Sequence, residues 1–209
     1  RAMYMLSSAQ MKKAMTRYEN NHVFFDRIRA TMKDILTHSP HIEHPYITPR
    51  EGNRVAYVVI AGDKGMAGGY NHNVLQFALE QMKDKQPYVL TVGSLACSYF
   101  TARGYKVDMN FVAAAQNPAL YECRQVAEVL IGLFDDNLID EVYVCYTRYL
   151  SSMRQVPAMI KLLPLEIRDF DDVQVEYEYQ GDMIYEPSPN RLFATLVPQY
   201  VIGELYGVL

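Results

Sequence analysis

Apolar side chains between Arg1 and His38 recur with the period of a helix. Tyr4, Met11, Tyr18, Phe25 and Met32 return every seventh position, and Ser7, Ala14, Asn21, Ile28 and Ile35 follow three residues after each. A sustained heptad of this kind predicts one long helix with a coiled-coil seam. No Pro or Gly interrupts it. The second series is small or polar early and apolar late. Its first half therefore predicts close backbone approach to a partner, and its second half predicts packing on something broader.

The period changes after His38. His38–Asn53 holds three prolines and reads as a linker, with His38, His41 and His44 solvated rather than gathered on a metal. From Arg54 short apolar runs alternate with helical patterns. Val55, Tyr57, Val58, Val59 and Ile60 form a strand covered on both faces. Gly62, Gly65, Gly68 and Gly69 form a turn, and Asn71 or Asn73 is the expected cap of a helix over about 73–85. Further strands are expected at 88–92, 105–111 and 140–146, with helices at 94–103 and 118–137. An extended stretch over 156–165 is expected to pair antiparallel with the strand before it.

The expected fold class is α/β: a Rossmann-like three-layer body with a mainly parallel sheet, plus N- and C-terminal helices that pair as an antiparallel coiled coil. The divisions are a helix at 1–38, a linker at 39–53, a body at 54–186 and the start of a last helix at 187–209. That last helix is apolar almost all round, from Leu192 to Leu209, and needs protein around it. Met11, Ala14 and Tyr18 on the first helix and Tyr200, Gly203 and Gly207 on the last are the expected packing residues of the pair. With no initiator Met or cap before Arg1, the chain reads as trimmed.

Composition narrows the function. The 209 residues carry a formal charge of −4, which supplies no overall attraction to nucleic acid or anionic lipid. Residues 1–38 nevertheless hold seven Lys/Arg against three acids, so the first helix is basic and the remainder acidic. Cys97, Cys123 and Cys145 stand far apart and read as separate small side chains. The acid pairs Asp135-Asp136, Asp140-Glu141 and Asp171-Asp172 sit at ends of elements and read as solvent-facing or as lying near helix starts. The glycine turn matches neither the dinucleotide fingerprint nor the P-loop. A generic phosphate site using Lys64 at the start of the following helix stays open as an alternative: an α/β nucleotide- or phosphate-binding module. No catalytic, cofactor or metal residues are expected.

Three stretches carry a resemblance: RAMYMLSSAQMKKA at 1–14, RVAYVVIAGDKGMAGGYNHNV at 54–74 and YEPSPNRLFATLVPQYVIGELYGVL at 185–209. Together they resemble the gamma subunits of F-type ATP synthases over nearly the whole chain. The family's start of the first helix, its Met- and Ala-rich carboxyl-terminal helix and the cysteine insert of its chloroplast members are absent. The resemblance implies a noncatalytic rotor stalk of a proton-translocating synthase. It would couple rotation to conformational change in catalytic beta subunits, at the cytoplasmic face of a bacterial membrane, without entering the bilayer. Its implied partners are the alpha, beta and epsilon subunits and the membrane c-ring. By the same resemblance Met3, Lys12 and Lys13 lie near the beta-subunit levers. Tyr185, Glu186 and Pro187 lie near the foot, by epsilon and the c-ring. Gly65, Gly68, Gly69 and Asn71 form a structural turn.

Overall fold

The computed structural model describes residues 2–39, 41–64, 69–116, 118–151, 154–174 and 185–209. Helix α1 (Ala2–His38) leads into the linker and then the first strand, β1 (Arg54–Ile60). There follow α2 (Tyr70–Gln81), β2 (Gln86–Val92), α3 (Ser94–Thr101), β3 (Val107–Asn110), α4 (Val112–Gln116) and α5 (Leu120–Asp135). The body closes with β4 (Glu141–Ser151), β5 (Arg154–Leu163) and a 3-10 turn at Ile167–Phe170, and α6 (Pro189–Val208) ends the chain.

The five strands form one sheet in the order β3-β2-β1-β4-β5. β1 pairs parallel with β2 and with β4, β2 pairs parallel with β3, and only β4–β5 is antiparallel. Successive β1 side chains point to opposite faces, and both faces are covered. Val55, Tyr57 and Val59 enter a core with Val74, Ala78 and Phe100 of α2 and α3. Ala56, Val58 and Ile60 enter a second core with Leu130, Phe134, Phe193 and Val201 of α5 and α6. Ile28, Met32 and Ile35 of α1 join that second core, so the apolar late half of the heptad series packs on the body.

Several boundaries differ from the sequence reading. α2 starts at Tyr70 rather than Asn73 and ends at Gln81, and Met82–Lys85 turn instead, with Asp84 at φ 62. α5 starts at Leu120 because Ala119, its N-cap, is still extended at φ −122, and a short α4 precedes it. β4 runs on to Ser151, past its last β1 partner at Cys145, because β5 continues to pair with it.

Of the acid pair at 140–141, Asp140 is not solvent-facing. Asp140 is 2% exposed. Its Oδ1 accepts from Arg54 Nη2 at 2.6 Å, and its Oδ2 accepts from Arg54 Nε and from the Arg54 backbone N–H, both at 3.0 Å. The Asp140 N–H in turn donates to the Arg54 carbonyl. These bonds fasten the start of β4 to the start of β1. The hydrogen bonds from the Arg54 side chain, above all, hold the Asp140 carboxyl below its ordinary value. A depressed acid contributes stability above its unfolded pKa and loses it as pH falls through its folded pKa. Asp140→Asn is therefore expected to lower the urea midpoint at neutral pH, with a gap to the wild type that narrows in acid. A gap that stays constant into acid would contradict this role.

Candidate functional site

The described residues on either side of the glycine turn are fixed by side-chain bonds to the backbone. The Asn71 side-chain carbonyl accepts from the Gly62 N–H at 2.8 Å, tying the end of β1 to the first turn of α2. It does not cap α2: the N-cap is Gly69 at φ −77, with no side-chain cap. Gly62 and Gly69 thus serve without positive φ, which among the described glycines belongs to Gly93 and Gly104. Gly65 and Gly68 lie outside the described residues. Lys64 is exposed, whereas Asp63 accepts from the Ser94 N–H at 2.9 Å and the Ser94 hydroxyl at 3.0 Å. The Ser94 backbone bond, first of all, lowers the Asp63 pKa. Asp63 is thereby engaged at the start of α3, whereas the phosphate alternative concerns the start of α2.

Two of the three thiols are unsuited to chemistry. Cys123 and Cys145 are buried, and burial pushes each up to about 12, so both stay protonated. Among the described residues no group of three or more His, Cys, Asp or Glu is placed to hold a metal ion. Nor is any helix among them long and apolar enough to cross a membrane.

What the fold does build is a contact between its two ends. The Asn21 amide donates to the Tyr206 hydroxyl at 3.2 Å, and the Phe25 and Tyr206 rings lie 6.1 Å apart. Arg29 Nε lies 3.4 Å from Glu204 Oε1, and Tyr18 stands beside Gly207. Rising numbers on α1 meet falling numbers on α6, so the two helices run in opposite directions here. At Gly203 a Cβ would sit 2.5 Å from Phe25 Cδ1, so the absence of a side chain permits this approach. Tyr200 is buried one turn earlier, with its ring 5.5 Å from that of Phe170, and a cleft of about 220 Å³ opens between the helices. Met11 and Ala14, expected in the same seam, lie further along α1 and are exposed.

The remaining candidates occupy two surfaces. Lys12 and Lys13 are exposed on the free part of α1, together with Met5, Met11 and Met15, while the Met3 side chain lies outside the described set. At the other end of α1, the Tyr185 hydroxyl donates to Asp34 Oδ2 at 2.8 Å, and Glu186 and Pro187 are exposed beside it. Ser188 then caps α6 by accepting from the Arg191 N–H at 3.3 Å, with Pro189 at the first position. Arg29 binds Asp172 through Nη2 at 2.7 Å and Nη1 at 3.0 Å, and Lys33 Nζ donates to the Val173 carbonyl at 2.7 Å. Sequence reasoning missed the Arg29–Asp172 and Arg29–Glu204 pairings. Their only signal was an arginine on the inward side of a basic helix.

The chain is similar to known proteins over nearly its whole length. A family model described as ATP synthase matches residues 1–209. The ATP synthase gamma chain of Acetivibrio thermocellus is 40% identical over 215 residues, taking in 99% of this chain and 73% of that one. That of Ruminiclostridium cellulolyticum is 35% identical, with the same two shares. The sodium ion specific ATP synthase gamma chain of Acetobacterium woodii is 30% identical, again over 99% and 73%. Among solved structures, the central stalk and c-ring of the Tetrahymena thermophila mitochondrial ATP synthase contains a similar chain with a TM-score of 0.71. It is 18% identical, and the match covers 99% of this chain and 89% of that chain, a likeness of fold.

Proposed function

This chain belongs to the ATP synthase gamma-chain family, and from that premise we propose how its parts serve as a central rotor stalk. The gamma-chain reading prevails over the nucleotide-binding alternative at the Lys64 turn. The stalk performs no catalysis: nucleotide chemistry resides in the alpha and beta subunits around it. α1 and α6 form an antiparallel coiled coil that acts as the shaft. Tyr18, Phe25, Gly203 and Gly207 lie in its seam, Tyr200 anchors it to the body, and Met11 and Ala14 continue it. The exposed stripe of α1, with Met3, Lys12 and Lys13, faces the levers of the beta subunits. Tyr185, Glu186 and Pro187 belong to the foot, which meets epsilon and the c-ring at the cytoplasmic face of a bacterial membrane without entering it.

The observation that carries this reading is the opposed contact of α1 and α6 over one face of a body that the whole-chain relatives share. It leaves a long, basic and partly apolar helix surface free beyond the body. Rotation of such a shaft favours a different open or closed state of each surrounding site in turn, so torque becomes a shift of populations with a direction. The test is reconstitution of the full-length chain with its alpha and beta subunits. A stable complex that hydrolyses ATP is expected only when the chain is added. Alpha and beta subunits that assemble and hydrolyse ATP equally well without it would overturn the proposal.

A further inference from the structure

The α1–α6 contact holds one carboxylic acid on the inner side of the last helix. Glu204 follows the bare backbone of Gly203, and its side chain lines the cleft between the helices with 24% of its surface exposed. From α1 it faces Tyr18, His22, Asp26 and Arg29. From the segment after β5 it faces Asp169 and Asp172, and from its own helix Tyr200 and Tyr206. β4 contributes Tyr146, whose hydroxyl accepts from Arg148.

Arg29 is the cation placed against this group, and it is shared. Nη1 and Nη2 are taken up by Asp172, and Nη2 also reaches the Asp169 carbonyl at 3.2 Å. Its Nε is buried without a hydrogen-bond partner and stands 3.4 Å from Glu204 Oε1. One guanidinium thus gives Asp172 two good hydrogen bonds and Glu204 only an ion-pair approach with no hydrogen bond. Burial, the largest cause, raises the Glu204 pKa; the Arg29 charge comes next and lowers it, and repulsion from Asp172, Asp169 and Asp26 adds smaller rises, with the balance above the ordinary value.

We propose that Glu204 is a proton-operated clasp between α1 and α6, tight when its carboxyl is protonated and loosened when it ionises. Neutral, the side chain sits in the cleft without adding charge beside Asp172. Ionised, it adds a negative charge to a group of acids whose nearest cation is already engaged. An acid with a raised folded pKa contributes stability below its unfolded pKa and loses it as pH rises through the folded value. Asp172 works in the opposite sense, because hydrogen bonding to Arg29 lowers its pKa and its contribution is lost in acid. The clasp is a property of the chain itself, so it can fail while the rotor reading stands, and the reverse.

The test uses the full-length chain with 13C-labelled glutamate, followed by NMR from about pH 4 to about pH 8. Amide exchange over 200–207 and 18–29 is measured in parallel and corrected for the intrinsic effect of pH. The Glu204 carboxyl is expected to titrate above ordinary glutamates, and exchange in both stretches to quicken several-fold across that midpoint. Glu204→Gln is expected to show no such step and to keep the slow exchange of the acidic wild type. Asp172→Asn, which frees Arg29, is expected to move the Glu204 midpoint down. An ordinary or depressed midpoint, a pH-flat wild type, a step retained in Glu204→Gln, or an unmoved midpoint in Asp172→Asn would each overturn the proposal.

Discussion

Replacing Gly93 with alanine is expected to cost on the order of 2–6 kcal/mol of folding stability, the largest loss expected from an added methyl group among the described glycines. Gly93 joins β2 to α3 at φ 97, where a side chain is strained whatever the space around it. Its built Cβ would also lie 2.0 Å from the Ala61 carbonyl oxygen, a backbone atom that cannot swing away. That crossing is locked from both sides, since the Ala61 N–H donates to the Val92 carbonyl and the Leu95 N–H to the Gly62 carbonyl. For a chain of this size each kcal/mol lowers the melting temperature by roughly 2–4 °C, so a fall of at least several degrees is expected in a thermal melt. Gly104→Ala is the control: its φ of 82 carries strain, but nothing lies within 4 Å of the new methyl. Equal, small effects of the two substitutions would contradict the close approach at Gly93.

Phe193→Ala is expected to cost about 3–5 kcal/mol, the usual range for emptying a buried aromatic site. Phe193 is fully buried near the root of α6, with its ring 5.7 Å from that of His44, in the core that also holds Phe134 and Tyr46. Its loss opens a cavity where α6, α5 and the linker meet. The expected signature is faster amide exchange in α6 than in β1, together with weaker assembly with the alpha and beta subunits. The pH response should change as well. Burial lowers the His44 pKa, and a lowered histidine contributes stability above its unfolded pKa and loses it as pH falls through the folded value. Opening the Phe193 site is expected to reduce that acid-side loss. A variant with wild-type exchange in α6 would show that this ring does not anchor the helix.

Much of the architecture was legible from spacing alone. The apolar run Val55–Ile60 reports a strand buried on both sides, and the alternation of strands and helices after it reports a mainly parallel sheet. The late heptad residues Ile28, Met32 and Ile35 report the face of α1 that enters the core. What stayed hidden depends on partners distant in the chain. Asp140 reads as one of two acids at an element's end until Arg54, 86 residues earlier, is brought against it. Glu204 and Arg29 become a pair only after the two ends of the chain meet. Glycines misled in a different way. The cluster at 62–69 drew attention through its density, yet the described positions there keep ordinary φ, and the strained crossing belongs to the isolated Gly93. Local composition reports how often a chain turns, whereas close approach of two backbones is set by the tertiary fold.

The most direct test of the rotor reading is to watch the body move. The full-length chain is assembled with its alpha and beta subunits, the ring is fixed to a surface, and a probe is attached to an exposed body position such as Glu80. ATP is then added. The expected result is sustained rotation of the probe in one direction, stopping when ATP is withdrawn. ATP hydrolysis by the assembled complex with the probe stationary relative to the ring would contradict the account.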